Sequence, residues 1–377
     1  MRQPRTLVRR ASRAARARAG VWAVVALVGA HACGEPTAPV KQPPVDLDAV
    51  ASPTPADFSA EATLNQRYAG TIAPHFDSVA AQTFAGVDGV AIRYRAFLVT
   101  PERAAVVLLP GKAEPMRKYA EIIWDLNRQG FSVYAMDWRG QGESGRMVPN
   151  VEMEYVRFFQ DYVDDLDAFV RAVVRARAHP AVFVLAHSMG AAAATLYIHA
   201  QPSGVTAAAF SSPMYELVTG SYPESVAGSI AYGACSRGSG QGYAIGEHDF
   251  DDQQTFAQED ATHSQARFDM KMLMYRQHPD VRIGGVSWQW LCESLTATGH
   301  IRTLGRNSPV PMLVFQAGED VTVRVDAQTK YCDAAPRCQL VRFPTARHEI
   351  LMETDDIRNS ALALAVRYFD HFTGGTP

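Results

Sequence analysis

The sequence predicts an α/β fold: a mostly parallel central sheet flanked by helices, with an inserted cap. Three observations predict it. Short apolar runs alternate with amphipathic helical stretches from about 90 to 213, the pattern of a parallel sheet covered on both faces. The alternation stops from about 214 to 306, where Gly, aromatic and charged residues mix. It then resumes at Pro311.

Each element has its own justification. Ala104 to Pro110 is an apolar run that ends in a turn. Arg117 to Gln129 places Tyr119, Ile122, Ile123 and Leu126 on one helical face, and Gly130 can end that helix. Phe131 to Asp137 is the next strand. Phe159 to Arg175 is a second amphipathic helix, with Phe159, Val163, Leu166, Val170 and Val173 on one side. Ala181 to Ala186 reads as a buried strand, Ala191 to Ala200 as a helix of small and apolar residues, and Thr206 to Phe210 as a strand. After the interruption come the strands Pro311 to Gln316 and Leu340 to Phe343, then a helix from about Ile357 to Phe372. The chain therefore divides into residues 61–213 and 307–377 as one core, with 214–306 as a cap above the strand ends. Ligands of such sheets sit beyond the carboxyl ends of the strands. The chemistry is expected in the loops after Leu109, Met136, Leu185, Phe210 and Phe315.

Composition narrows the function. Of 377 residues, 47% are hydrophobic and 20% charged, which is globular and excludes a disordered chain, a collagen-like fibre or a disulfide mini-scaffold. No apolar run reaches the roughly 18 residues of a spanning helix. Seven of the 36 basic residues lie within residues 1–32, which contain no acid. The remainder carries 29 basic against 39 acidic residues, a net charge of −10. Such a body is a poor partner for nucleic acid or for anionic lipid.

The first 32 residues read as a secretory signal: basic from Met1 to Ala19, apolar from Val21 to Ala30, and small at Ala30 and Ala32. Cys33 follows at once, as in a bacterial lipoprotein whose acylated cysteine becomes the new N-terminus. Plain secretion is the alternative. Gly34 to Pro55, rich in Pro, Ala and Thr, reads as a tether, and residues 33–60 as a lipoprotein-type linker. The expectation is export to a bacterial periplasm or cell envelope, with the membrane surface as a partner through Cys33. Export permits disulfides. Cys235, Cys292, Cys332 and Cys338 allow three pairings. Cys332 and Cys338 are close enough to close a small loop, leaving Cys235 with Cys292; four reduced thiols remain the other possibility.

The sharpest motif is Ala186-His187-Ser188-Met189-Gly190. It follows a buried strand and opens a helix, the context of a strained turn that presents a nucleophilic serine. A serine nucleophile needs a base, and the base an orienting carboxylate. Asp320 and His348 follow the next strands in the order Ser, acid, His. Glu319 and Asp326 are rival acids, but Asp320 closes the turn directly after its strand. Donors for the oxyanion are the backbone N–H of Met189 and that of Lys112, which follows Gly111 after the first strand. His187 is read as packing beneath the nucleophile. Met270, Met272 and Met274 are either cap core or part of an acyl groove. No Cys or His spacing suggests a metal, and no cofactor is expected.

These segments carry a resemblance. The chain resembles the lysophospholipase L2 family of α/β-hydrolases, within the monoacylglycerol lipase-like group, over about residues 80–372. The likeness rests on Pro110-Gly111-Lys112-Ala113-Glu114 with Lys118-Tyr119-Ala120-Glu121, on Asp137 to Gly145, on Tyr162 to Leu166, on Leu185 to Gly190, and on His348-Glu349-Ile350-Leu351. It extends into the cap at Gly242 to Gly246, Thr262-His263-Ser264, Arg282 to Gly285, Trp290 and Glu293-Ser294. The resemblance implies a Ser188-Asp320-His348 triad, an oxyanion hole at Met189 and Lys112, and hydrolysis of the acyl ester of a lysophospholipid. A monoacylglycerol or a simple carboxylic ester is the alternative substrate. More distant alternatives are an aminopeptidase of the same fold and a non-catalytic binding protein. Arg267, Arg276 and Trp290 are candidates for head-group contact.

Overall fold

Residues 40–49, 52–220 and 222–374 are described by the computed structural model. The signal at 1–32 and the lipidation site at Cys33 lie outside them. The apolar runs become strands of one eight-stranded sheet: Gln82–Ala85 (β1), Ala91–Phe97 (β2), Ala104–Leu109 (β3), Phe131–Met136 (β4), Val182–His187 (β5), Ala207–Ser211 (β6), Met312–Ala317 (β7) and Cys338–Phe343 (β8). Their spatial order is β1-β2-β4-β3-β5-β6-β7-β8. β2 pairs antiparallel with β1 and β4, and the rest of the sheet is parallel.

The pleat splits each central strand between two cores. Ala105, Val107 and Leu109 of β3 join one apolar cluster, while Ala104, Val106 and Leu108 join the other. A strand buried on both faces needs this continuous apolar run. On the first face lie helices Gln160–Ala172, Ser188–Ala200 and Val325–Ala334; on the second lie Glu61–Arg67, Ala73–Asp77, Ala120–Arg128 and Asp355–Thr373. Adding the cap helices Glu224–Ser236, Gln265–Gln277 and Trp288–Leu304 gives, in chain order, α1 Glu61–Arg67, α2 Ala73–Asp77, α3 Ala120–Arg128, α4 Gln160–Ala172, α5 Ser188–Ala200, α6 Glu224–Ser236, α7 Gln265–Gln277, α8 Trp288–Leu304, α9 Val325–Ala334 and α10 Asp355–Thr373. None of these is long and apolar enough to cross a membrane.

The small residues of α5 have a packing reason. Ala191 to Ala194 are all fully buried, so the helix lies close against the sheet. Strand register then sets the height of the loops. Leu109 pairs with Ala186, His187 with Ser211, Ser211 with Phe315, and Ala317 with Phe343. The turns after β3, β5, β7 and β8 therefore open at one edge.

Several boundaries and elements differ from the sequence reading. The helix expected over Arg117 to Gln129 starts as a 3-10 turn, Met116–Tyr119, before α3. The helix expected from Ala191 begins three residues earlier, at Ser188. β1 was invisible as an apolar run because its exposed edge leaves Gln82, Thr83 and Ala85 in solvent. α1 and α2 are joined by a π-helical turn, Tyr68–Ile72, across Gly70, so no uninterrupted helical period marks them.

The tether expected over residues 33–60 is corrected for its described part. Gln42 N–H donates to Pro336 O at 2.8 Å, and Lys41 Nζ to Cys332 O at 2.6 Å. Leu47 and Phe58 are buried in the second core, and Ser59 bonds Asp125 at 2.8 Å. Isolated apolar residues in a Pro-rich stretch carry no periodicity, yet Leu47 and Phe58 find places in the core. The sulfurs pair as Cys235–Cys292 and Cys332–Cys338. The first pair ties α6 to α8 inside the cap.

The cap is anchored by a buried charge. Arg267 of α7 reaches Glu121 of α3 at 2.9 and 3.0 Å, and Asp355 at the start of α10 at 2.8 Å. Arg358 extends the cluster to Asp125 at 2.8 Å. Arg267 is thus fully committed, which corrects its candidacy as a head-group contact. Met270, Met272 and Met274 are buried, Met270 in the second core and Met274 in a small cap cluster with Tyr275 and Val281.

Candidate active site

The turn after β5 is built by steric exclusion. Ser188 adopts a left-handed φ of +48°, a costly conformation for a residue with a side chain. It lifts the hydroxyl out of the strand line at the first turn of α5. Two residues on, a Cβ at Gly190 would stand 2.8 Å from Leu109 O and deeper still inside Pro110 O. Only glycine lets α5 approach the end of β3 this closely. Ala186, two residues before the serine, is fully buried.

His348 comes from the loop after β8. Its Nε2 lies 2.9 Å from Ser188 Oγ, and its Nδ1 lies 2.8 Å from Asp320 Oδ2. An Nδ1–H donated to the carboxylate leaves Nε2 to accept the serine O–H. The second Asp320 oxygen accepts the Thr322 and Val323 N–H groups, each at 2.9 Å. Burial works to raise the Asp320 pKa. The His348 charge and hydrogen bond, with the two backbone donors, outweigh it and hold the carboxyl below its ordinary value. Of the rival acids, Glu319 turns to His263 at 3.4 Å and Asp326 is exposed on α9. His187 is buried, with Nδ1 3.1 Å from Ser211 O and burial pushing its pKa down to about 4. It is a neutral donor beneath the serine.

The turn after β3 faces this group across the register match of Leu109 with Ala186. The N–H of Met189 belongs to the first turn of α5, where helix donors have no intrahelical acceptor. Lys112 lies on the facing turn. That turn is held by groups to which the sequence alone assigns no role. Glu114 Oε2 accepts the Gly111 N–H and the Tyr119 O–H, each at 2.6 Å. Its other oxygen meets Lys118 Nζ at 2.6 Å, and Lys118 also meets Glu349 at 2.7 Å. Ala113 is left-handed at φ +58°, and its carbonyl accepts Tyr275 O–H from the cap at 2.9 Å. In the sequence, the brace shows as the i,i+4 spacing of Glu114 and Lys118 and as membership of the segments that carry the resemblance.

A cavity of about 900 Å³ opens above Ser188, His348 and Lys112. Its lining is mixed: Lys112, Lys118, Glu247 and Lys271 bring charge, and the cap residues Leu217, Ile230, Val286, Trp288 and Leu291 form an apolar wall. Trp290 is there too.

Glu154 closes the seam between core and cap. Its N–H donates to Gly285 O at 3.0 Å, and its carbonyl accepts from Ser287 N–H at 2.9 Å. Its carboxyl is buried, and burial raises the pKa to about 7 against the Tyr162 hydrogen bond and the Lys112 charge. The native protein therefore holds a proton that the unfolded chain releases from about pH 4.5 upward, and stability falls as pH rises toward 7. Glu154→Gln is expected to gain about 1–3 kcal/mol on wild type at pH 8 relative to pH 5. Urea unfolding at both pH values measures this, and an equal difference at each would refute it.

Strained serine turn, parallel sheet and inserted cap together define an α/β-hydrolase. Residues 100–355 match the family described as serine aminopeptidase, S33, and the chain belongs to that family. Lysophospholipase L2 of Escherichia coli K12 is 33% identical over 295 residues, covering 76% of this chain and 86% of that protein. The probable lysophospholipase L2 of Haemophilus influenzae is 27% identical, covering 77% and 91%. The crystal structure of a soluble variant of monoglyceride lipase from Saccharomyces cerevisiae superposes with a TM-score of 0.62 at 18% identity, covering 78% and 95%. The chain belongs to the lysophospholipase L2-like group of α/β-hydrolases and is an ester hydrolase.

Proposed function

We propose that this protein cleaves the acyl ester of lysophospholipids through an acyl-enzyme intermediate. The observation that carries the reading is the Ser188–His348–Asp320 relay, at 2.9 and 2.8 Å, opening into a cavity with an apolar wall of cap residues. Ser188 Oγ attacks the ester carbonyl as His348 Nε2 takes its proton. Asp320 holds the imidazole in the required tautomer and stabilises the imidazolium. The Met189 and Lys112 N–H groups receive the oxyanion. His348 then returns the proton to the leaving alcohol oxygen, freeing the glycerophospho-alcohol. Water, deprotonated by His348, attacks the acyl carbonyl; the acyl–Oγ bond breaks, His348 returns the proton to Ser188 Oγ, and the fatty acid leaves. No step calls for a metal or organic cofactor.

The 33% identity to a lysophospholipase L2 supports the substrate class. The order of basic, apolar and small residues in 1–32, followed by Cys33, supports export to a cell envelope with a lipid anchor. Mass spectrometry of the mature N-terminus tests the anchor: an acylated Cys33 sustains it, and an unmodified N-terminus elsewhere removes it.

Substrate choice is tested by offering the purified enzyme a lysophospholipid, a monoacylglycerol, a short aryl ester and an aminoacyl anilide in parallel. The expected result is highest kcat/KM on the lysophospholipid and none on the anilide. Preference for the monoacylglycerol or aryl ester would retain the mechanism and overturn the substrate.

A further inference from the structure

The charges around the cavity do not all cancel within the protein. Lys118 is held between Glu114 and Glu349, and Lys271 is held by Glu259 at 2.6 Å. Two lining charges of opposite sign are left over. Among the described residues, the Lys112 ammonium has no ion pair and no hydrogen bond and acts on the buried Glu154 carboxyl only at longer range, and Glu247 has no cationic partner. One Glu247 oxygen accepts the Val286 N–H at 2.9 Å, and the other is unengaged. Both side chains are half-buried, where an unmatched charge forgoes part of its hydration. Lys112 stands on the core, on the turn facing Ser188, and Glu247 on the cap. Trp290 lines the same cavity, and its buried indole N–H has no acceptor.

We infer that Lys112 and Glu247 are the head-group ligands of this enzyme. The Lys112 ammonium takes the phosphate, and the Glu247 carboxylate takes the terminal amine, of a zwitterionic lysophospholipid. The inference rests on the lysophospholipase reading above. Both groups line the same cavity as Ser188. With the substrate's ester carbonyl at Ser188, the phosphate lies one glycerol away, near the turn that carries Lys112. The amine lies a further two carbons out. The acyl chain is left to the apolar wall of Leu217, Ile230, Trp288 and Leu291. Lys112 thereby serves twice, through its backbone N–H at the oxyanion and through its side chain at the head group. Any backbone disturbance from substitution strikes all substrates alike, so the assignment is read as a ratio between substrates.

The test uses three lipids with one acyl chain: a monoacylglycerol, a lysophosphatidylglycerol and a lysophosphatidylethanolamine. Wild type, Lys112→Met and Glu247→Gln are compared by kcat/KM; Gln keeps an acceptor for the Val286 N–H. Lys112→Met is expected to lower both phospholipids relative to the monoacylglycerol by about 10- to 100-fold, the scale of a charge-assisted contact. Glu247→Gln is expected to lower lysophosphatidylethanolamine relative to lysophosphatidylglycerol by about 5- to 30-fold. Ratios that stay within about twofold of wild type would overturn the assignment while leaving the lysophospholipase reading intact. A wild-type enzyme inactive on both phospholipids would instead remove the reading on which the inference stands.

Discussion

Replacing Ser188 by alanine is expected to lower kcat for ester hydrolysis by about 10⁴- to 10⁶-fold with little change in folding. The hydroxyl is a small buried group whose contact of note is His348 Nε2 at 2.9 Å. Its loss leaves no buried polar atom without a partner other than the His348 Nε2 acceptor, which faces the cavity. His348→Ala is expected to cost a similar factor, because a serine without its base is a poor nucleophile. The decisive comparison is the double variant. If the residues act as one unit, Ser188→Ala/His348→Ala is no slower than either single variant. Multiplication of the two single losses would mean that they contribute independently, and the relay would be abandoned as the mechanism. A fluorophosphonate probe gives a second readout: wild type is expected to label and Ser188→Ala is not.

The second large effect is expected from a single methyl group. Gly190→Ala places a Cβ 2.8 Å from Leu109 O and closer still to Pro110 O. Both neighbours are backbone atoms, one of them ending a central strand, so neither can rotate away. Relief requires α5 and the end of β3 to separate. That separation moves the serine turn from the Lys112 turn, which together form the proposed oxyanion site. Loss of activity by at least about 100-fold is expected, together with about 1–3 kcal/mol or more of destabilisation from overpacking. Unfolding in denaturant and kcat per probe-titrated site separate the two. A variant of wild-type activity and stability would show that the α5–β3 contact is looser than the close approach at Gly190 indicates. Ala186→Gly is the useful contrast, since it removes a buried methyl without disturbing that approach.

How far the sequence reaches depends on the range of the interaction concerned. Alternating apolar strands and amphipathic helices are local periodic signals, and they marked β3 to β8, α3 to α5 and α10 within a few residues. The serine turn was legible for the same reason: a buried strand, a small-Ser-small motif and a small-residue helix lie within about twenty positions. Asp320 and His348 were legible because the fold places such residues at strand ends in a known order. β1, α1 and α2 were not, because an edge strand keeps polar residues in solvent and a π turn at Gly70 breaks the helical period.

Residues joined only in space were silent in the sequence. Nothing local tells that Arg267 is sealed against Glu121, 146 positions away, while Lys112 lines the cavity with no ion pair among the described residues. Both are basic residues near motif segments, and only the packing of α7 against α3 and α10 separates anchor from ligand. The same holds for residues 40–60, which composition assigns to a tether and which the core in fact captures at Leu47 and Phe58. The sequence by itself determined the fold class, the serine turn and the order of the candidate relay, because strand and helix periodicity and turn sterics act between near neighbours. Which charges are neutralised, what walls the cavity and how the cap is held were decided only by the tertiary structure, because burial and ion pairing depend on what distant segments bring to the same place.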